Sequence, residues 1–148
     1  MIEACRIFQA HGIKVFGFFV LYHAWEENGE LAFETPADVD NTLRFGRRLL
    51  SERLINYMSW QVATPYPGSR LWQTANKYGP LLESGRIGDV RERAMSLPGV
   101  SEKDVRRSLR TGYILKTWYA LKSGHIGWSH AARARQSLAV ILGQDWMK

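Results

Sequence analysis

The chain has 148 residues, 45% hydrophobic and 23% charged, the balance of a folded domain rather than a disordered tail. Its longest apolar run, Val15 to Tyr22, is far too short for a membrane span, which needs about 20 residues, and no basic-then-apolar leader points to secretion. The net charge of +6 is unevenly placed: residues 1–80 hold eight Lys/Arg against eight Asp/Glu, and residues 81–148 hold twelve against six. A basic tail of this kind could meet nucleic acid or an acidic partner, but its Arg residues are mixed with acids and helix-spaced apolar residues, the pattern of a solvated helical surface. The single cysteine, Cys5, excludes an internal disulfide and fits a reducing compartment, most simply the cytoplasm.

In chain order, Ile2 to Ala10 reads as a helix. Ile2, Cys5 and Phe8 recur at three-residue spacing, and Gly12 suits the residue just past a helix end. "IKVFGFFVLY", Ile13 to Tyr22, is a near-continuous aromatic and β-branched run. It lacks clean alternation, so a strand covered on both faces, as in a parallel sheet, is expected. Ala24 to Glu34 reads mostly as loop around Asn28-Gly29. Thr35 can then cap a helix that has Pro36 at its first position and Asp38 completing a capping-box pattern. Val39, Leu43, Gly46, Leu49 and Leu50 share one face of it. Leu54 to Ala63 is the second strand candidate. After the Pro67-Gly68 turn, "SRLWQTANKY" gives a helix that Gly79 and Pro80 would stop.

Residues 1–80 therefore alternate helix, strand, helix, strand, helix, and strands joined by helices imply parallel neighbours with right-handed crossovers. Two strands leave open edges and do not make a stable α/β domain alone. The Gly-rich, charged stretch from Leu82 to Gly99 reads as a connector, so the organisation is 1–80, a connector over 81–100, and a helical region over 101–148. Ser101 and Asp104 form a second capping-box pattern. Val105, Leu109, Tyr113, Leu115, Trp118 and Leu121 then give an amphipathic helix ended by Gly124, with Gly112 inside it. A last helix is expected from Ser129 to Leu142.

Little local chemistry is visible. His11, His23, His125 and His130 offer no metal-ligand spacing, and no second cysteine helps them, so no metal site is assigned. There is no Gly-rich dinucleotide fingerprint, no Walker sequence and no local nucleophile motif, so no catalytic residue is assigned. Cys5 sits on an apolar helix face, the setting of an inert thiol. What remains is geometric. Ligands of parallel α/β sheets bind at the carboxyl ends of the strands. Here those ends are Val20 to Trp25 and Gln61 to Gly68. Gly17 would allow close approach, Tyr22, His23 and Trp25 offer stacking surface, and Gln61 and Thr64 are polar at the end of an apolar strand. The competing reading is that Gly17 fits a twist and the aromatics are core.

The residues Gly12-Ile13, Gly17-Phe18-Phe19-Val20, Glu34-Thr35, Thr64-Pro65-Tyr66-Pro67-Gly68-Ser69 and Leu71-Trp72 together resemble the last third of a radical S-adenosylmethionine (SAM) enzyme barrel. They are most similar to members with an N-terminal cobalamin-binding domain, the magnesium-protoporphyrin ester cyclase and lipid-modifying types. The resemblance covers residues 1–80, with a less specific likeness from Leu97-Pro98-Gly99 onward. It implies an α/β fold: the C-terminal portion of a partial (β/α)6 barrel, contributing two parallel strands with helices, plus a helical C-terminal region. It implies that SAM and a [4Fe-4S] cluster act in the full-length enzyme, the cluster cleaving SAM to a 5′-deoxyadenosyl radical, and that cobalamin use is open, resting on a missing N-terminal domain. By the same resemblance, the SAM adenine region falls on Gly17, Phe19, Val20, Leu21, Tyr22, Gln61, Ala63 and Thr64.

Two departures from the family stand out. The three-cysteine cluster motif is absent, so this chain by itself is expected to be inactive, whether as a truncated gene product, an expressed piece or half of a split enzyme. Its expected partner is the missing N-terminal barrel half, in cis or in trans, with a small-molecule, lipid or tetrapyrrole substrate. The family's Gly-x-Pro-Gly-Glu after the fifth strand is replaced by "YHAWEENGELAFE", with Tyr22 near the usual glycine and Ala24 near the usual proline. The alternative function is a basic helical module that binds nucleic acid or docks a partner subunit through Trp118, Tyr119, Trp128 and Trp146. Nucleic acid is the weaker option, because the tail lacks a single-sign face and a stacking platform.

Overall fold

The computed structural model describes residues 1–78 and 95–122. Its elements are α1 (Ile2–Ala10), β1 (Phe16–Leu21), β2 (Ala24–Glu27), β3 (Glu30–Phe33), α2 (Pro36–Ser51), β4 (Tyr57–Val62), α3 (Arg70–Lys77) and α4 (Glu102–Lys122). This is a mixed α/β chain in which β1 and β4 form a parallel two-stranded sheet and β2 and β3 an antiparallel hairpin. The stop at Gly79-Pro80, most of the connector, Gly124 and the expected helix from Ser129 to Leu142 lie outside the described residues, as do Trp128 and Trp146.

The chain divides into two compact units. The first holds Met1–Phe19, Leu43–Ser59 and α4 from Arg110. Here α1 ends as its glycine predicts, with Gly12 at φ +70°. Only Cys5 of the expected Ile2-Cys5-Phe8 face is buried, and Phe8 is exposed. Asn56 ties the unit together. Its Oδ1 accepts from Gln9 Nε2 at 2.7 Å and from the Val15 backbone N–H at 2.8 Å, while its own N–H donates to the Val15 carbonyl at 2.8 Å. One side chain thus sets the register in which the two strands begin. Along α4, Gly112 and Tyr113 are buried, but Trp118 and Leu121, expected on the covered face, are exposed.

The second unit holds Val20–Thr42 and Trp60–Leu109. Ala63 N–H donates to the Leu21 carbonyl at 2.8 Å, so the two strands end side by side. The expected loop over Ala24 to Glu34 is instead a hairpin. Asn28 and Gly29 take φ +53° and +81°, the pair of left-handed residues a two-residue type I′ turn requires, and Trp25 faces Ala32 in the register. Both expected capping boxes are formed. Thr35 N–H donates to Asp38 Oδ2 at 2.9 Å and Asp38 N–H to Thr35 Oγ1 at 3.3 Å. The Ser101–Asp104 pair repeats the exchange at 2.9 and 3.2 Å. Each satisfies two backbone donors that a helix start leaves open.

The expectation that β1 is covered on both faces is corrected. Leu21 is fully buried, but Phe16, Phe18 and Val20 are 59%, 55% and 38% exposed. β4 buries Met58, Trp60 and Val62 and leaves Tyr57, Ser59 and Gln61 half-buried. The aromatic run does carry two apolar faces: in one row Leu21 is buried with Gly17 and Phe19 half-buried, and in the other Phe16, Phe18 and Val20 are exposed.

Candidate functional site

The second unit brings together most of the predicted site residues. Tyr22, the first residue past β1, sits at φ +60°, a left-handed conformation rarely taken by an aromatic residue. Its phenol is buried and meets Ser108 Oγ at 2.8 Å, so the strained residue is held by its far end. Burial pushes the phenol's pKa up, against the opposing effect of the Ser108 hydrogen bond. The buried phenol thus acts as a support for the backbone at the end of β1. Ala63 and Leu21 are buried beside it.

At the end of β4, Thr64 Oγ1 donates to the Val62 carbonyl at 3.2 Å, and Pro65 is fully buried. Tyr66-Pro67-Gly68-Ser69 closes a β-turn: Ser69 N–H donates to the Tyr66 carbonyl at 3.0 Å, with Gly68 at φ +85°. Proline followed by a positive-φ glycine is the type II signature. Ser69 then caps α3, its Oγ accepting from Trp72 N–H at 3.1 Å. The two prolines thus fix how the chain leaves β4 and starts α3. The accessible groups at these strand ends are the Val20 side chain, the Gln61 amide and the partly exposed Thr64 hydroxyl. Leu21, Tyr22 and Ala63 form the layer behind them.

Gly17 and Phe19 lie in the first unit, where the space above Gly17 is already filled. A Cβ there would come 2.9 Å from Phe19 Cε2 and 3.0 Å from Ile55 Cδ1. The glycine allows the ring of Phe19 to fold back over the strand.

A groove of about 720 Å³ opens between the β2–β3 hairpin and α3, both in the second unit. Its walls are tied. His23 N–H donates to Glu34 Oε2 at 3.0 Å, and Glu34 N–H to the His23 carbonyl at 2.9 Å, closing the hairpin base. Tyr78 Oη donates to the Gly29 carbonyl at 2.8 Å, and Lys77 Nζ to Glu26 Oε2 at 2.7 Å, linking α3 to the hairpin. The Lys77 hydrogen bond holds the Glu26 carboxyl below its usual range, and the same bond raises the lysine. The sequence reading named His23 and Trp25 but missed Glu26, Arg70 and Lys77. Asn28-Gly29, which marks a hairpin, could have placed Glu26 in one wall with Trp25; Arg70 and Lys77 come from α3, and no local signal joins them to it.

No group of three or more His, Cys, Asp or Glu able to hold a metal occurs among the described residues, and Cys5 is a buried lone thiol. No described helix is long and apolar enough to cross a membrane.

Among known proteins, a Pyrococcus horikoshii protein described as an uncharacterized methyltransferase is 28% identical over 114 residues, covering 76% of this chain. The chain spans 22% of that relative's length. No protein-family model matches the chain, and no solved structure does.

Proposed function

We propose that the chain supplies the last two strands and the following helices of a radical SAM barrel, acting on SAM only together with the polypeptide that carries the earlier strands. The observation that carries this reading is the open face of β1, where Phe16, Phe18 and Val20 stand exposed in a row. An apolar strand face of this kind matches a surface that further strands and a bound cofactor would cover. Two further observations support it. Tyr22, at the position that resembles the family's glycine, keeps the left-handed backbone for which glycine is the usual choice. The similar methyltransferase-described protein is several times longer than this chain, and SAM is the common methyl donor of that enzyme class.

The residues present do not fit an iron–sulfur cluster. One buried cysteine cannot replace the thiolates that hold one. The strand ends do suit part of a SAM site. Val20 would lie against the adenine and Gln61 would hydrogen-bond it, while Leu21, Tyr22 and Ala63 keep both in place from behind. Cobalamin, if used, would be held elsewhere.

Anaerobic treatment of this chain alone with iron, sulfide and SAM is expected to give no cluster absorbance and no 5′-deoxyadenosine. Both should appear when the segment carrying the three-cysteine motif is present. A cluster on this chain alone would refute the proposal.

A further inference from the structure

We propose that the groove between the β2–β3 hairpin and α3 binds a small organic anion bearing a planar ring, its carboxylate or phosphate held by Arg70 and its ring laid against Trp25. The inference does not rest on the barrel reading. The volume of about 720 Å³ lies in the range of small-molecule sites.

Charge selects an anion. Arg70, Gln73, Thr74 and Lys77 recur at helical spacing and line the α3 wall. Lys77 is occupied by Glu26, so the lining carboxylate is neutralised and its lysine is not available. Arg70 is exposed and has no ion pair among the described residues. Among the described lining residues its guanidinium is the charge without an opposite partner, and its planar fork suits a carboxylate or phosphate. A ring is selected by the opposite wall. Trp25 is 40% exposed, and the His23 ring lies 6.3 Å from it at 33°, giving two aromatic surfaces side by side. Because the walls are already tied at both the hairpin base and tip, little ordering would accompany binding.

The test is a titration of the isotope-labelled chain, followed by NMR at the Trp25 indole and Arg70 side-chain signals. The probes are benzoate, phenyl phosphate, inorganic phosphate and benzyl alcohol. Saturable shifts of both signals are expected with benzoate or phenyl phosphate, and the tighter of the two identifies the anion. Inorganic phosphate lacks the ring and benzyl alcohol the charge, so each should bind about tenfold more weakly or less. Arg70→Gln should weaken binding about tenfold. Lys77→Met, which frees the Glu26 carboxylate, should weaken it too. Added salt should weaken the native protein's binding, a readout that needs no variant. The proposal is overturned by absent saturation with both aromatic anions, by equal binding of benzyl alcohol, by unchanged affinity in Arg70→Gln, or by salt-independent affinity.

Discussion

The two faces of β1 differ in exposure. On one, Leu21 is fully buried and the Phe19 ring folds over Gly17. On the other, Phe16, Phe18 and Val20 face outward with little to cover them. Both faces are equally apolar in sequence. The difference teaches that a strand's composition records the surroundings it suits, whether or not the chain itself supplies them. Stability should accordingly come from the covered face, and any function from what meets the open one.

That contrast can be broken by substitution. On the covered side of β4, Trp60→Ala removes a fully buried indole and should cost about 3–5 kcal/mol in urea unfolding. Tyr22→Phe deletes the bond to Ser108 while keeping the ring, for about 1 kcal/mol. Gly17→Ala places a methyl 2.9 Å from the Phe19 ring and 3.0 Å from Ile55; the half-exposed ring can swing away, so the cost should be about 1 kcal/mol or less by the same measurement. On the open face, Phe18→Ser should change stability by only about 0.5 kcal/mol and should lower self-association seen by sedimentation. A loss from Phe18→Ser as large as that from Trp60→Ala would erase the distinction between the faces.

Acid titration sharpens the same picture from the capping boxes. Side-chain hydrogen bonds from Thr35 and Ser101 lower the carboxyl pKa of Asp38 and Asp104. Carboxyls lowered in the folded state contribute stability that is present above their unfolded pKa, about 3.9. That contribution is lost as the pH falls through the lower folded value. The double variant Asp38→Asn, Asp104→Asn should flatten the fall of stability below about pH 4. An unchanged acid limb would show that the boxes contribute geometry alone.

The helix starts were legible because capping is local chemistry. Thr35-Pro36-Ala37-Asp38 and Ser101 to Asp104 contain both partners of each exchange within four residues. The strand pair was legible from its apolar runs, and the Pro67-Gly68 turn from its residue types. The hairpin was misread because Trp25, Glu26 and Glu27 lack a clear apolar alternation, leaving Asn28-Gly29 to look like a loop. Its links to α3 through Lys77 and Tyr78 come from some 50 residues away, and no short window contains that information. The candidate strand ends were found by position, but burial sorted them: Val20, Gln61 and Thr64 are accessible, whereas Leu21, Tyr22 and Ala63 are support. The Arg70 groove was invisible for the same reason as the hairpin.

The central claim is that the open face of β1 belongs to a barrel whose other strands carry the cluster chemistry. Sequencing the DNA directly upstream of the Met1 codon tests it most directly. An in-frame or adjacent coding segment containing Cys-x-x-x-Cys-x-x-Cys is expected. An unrelated gene in that position, with no such segment adjacent, would contradict it.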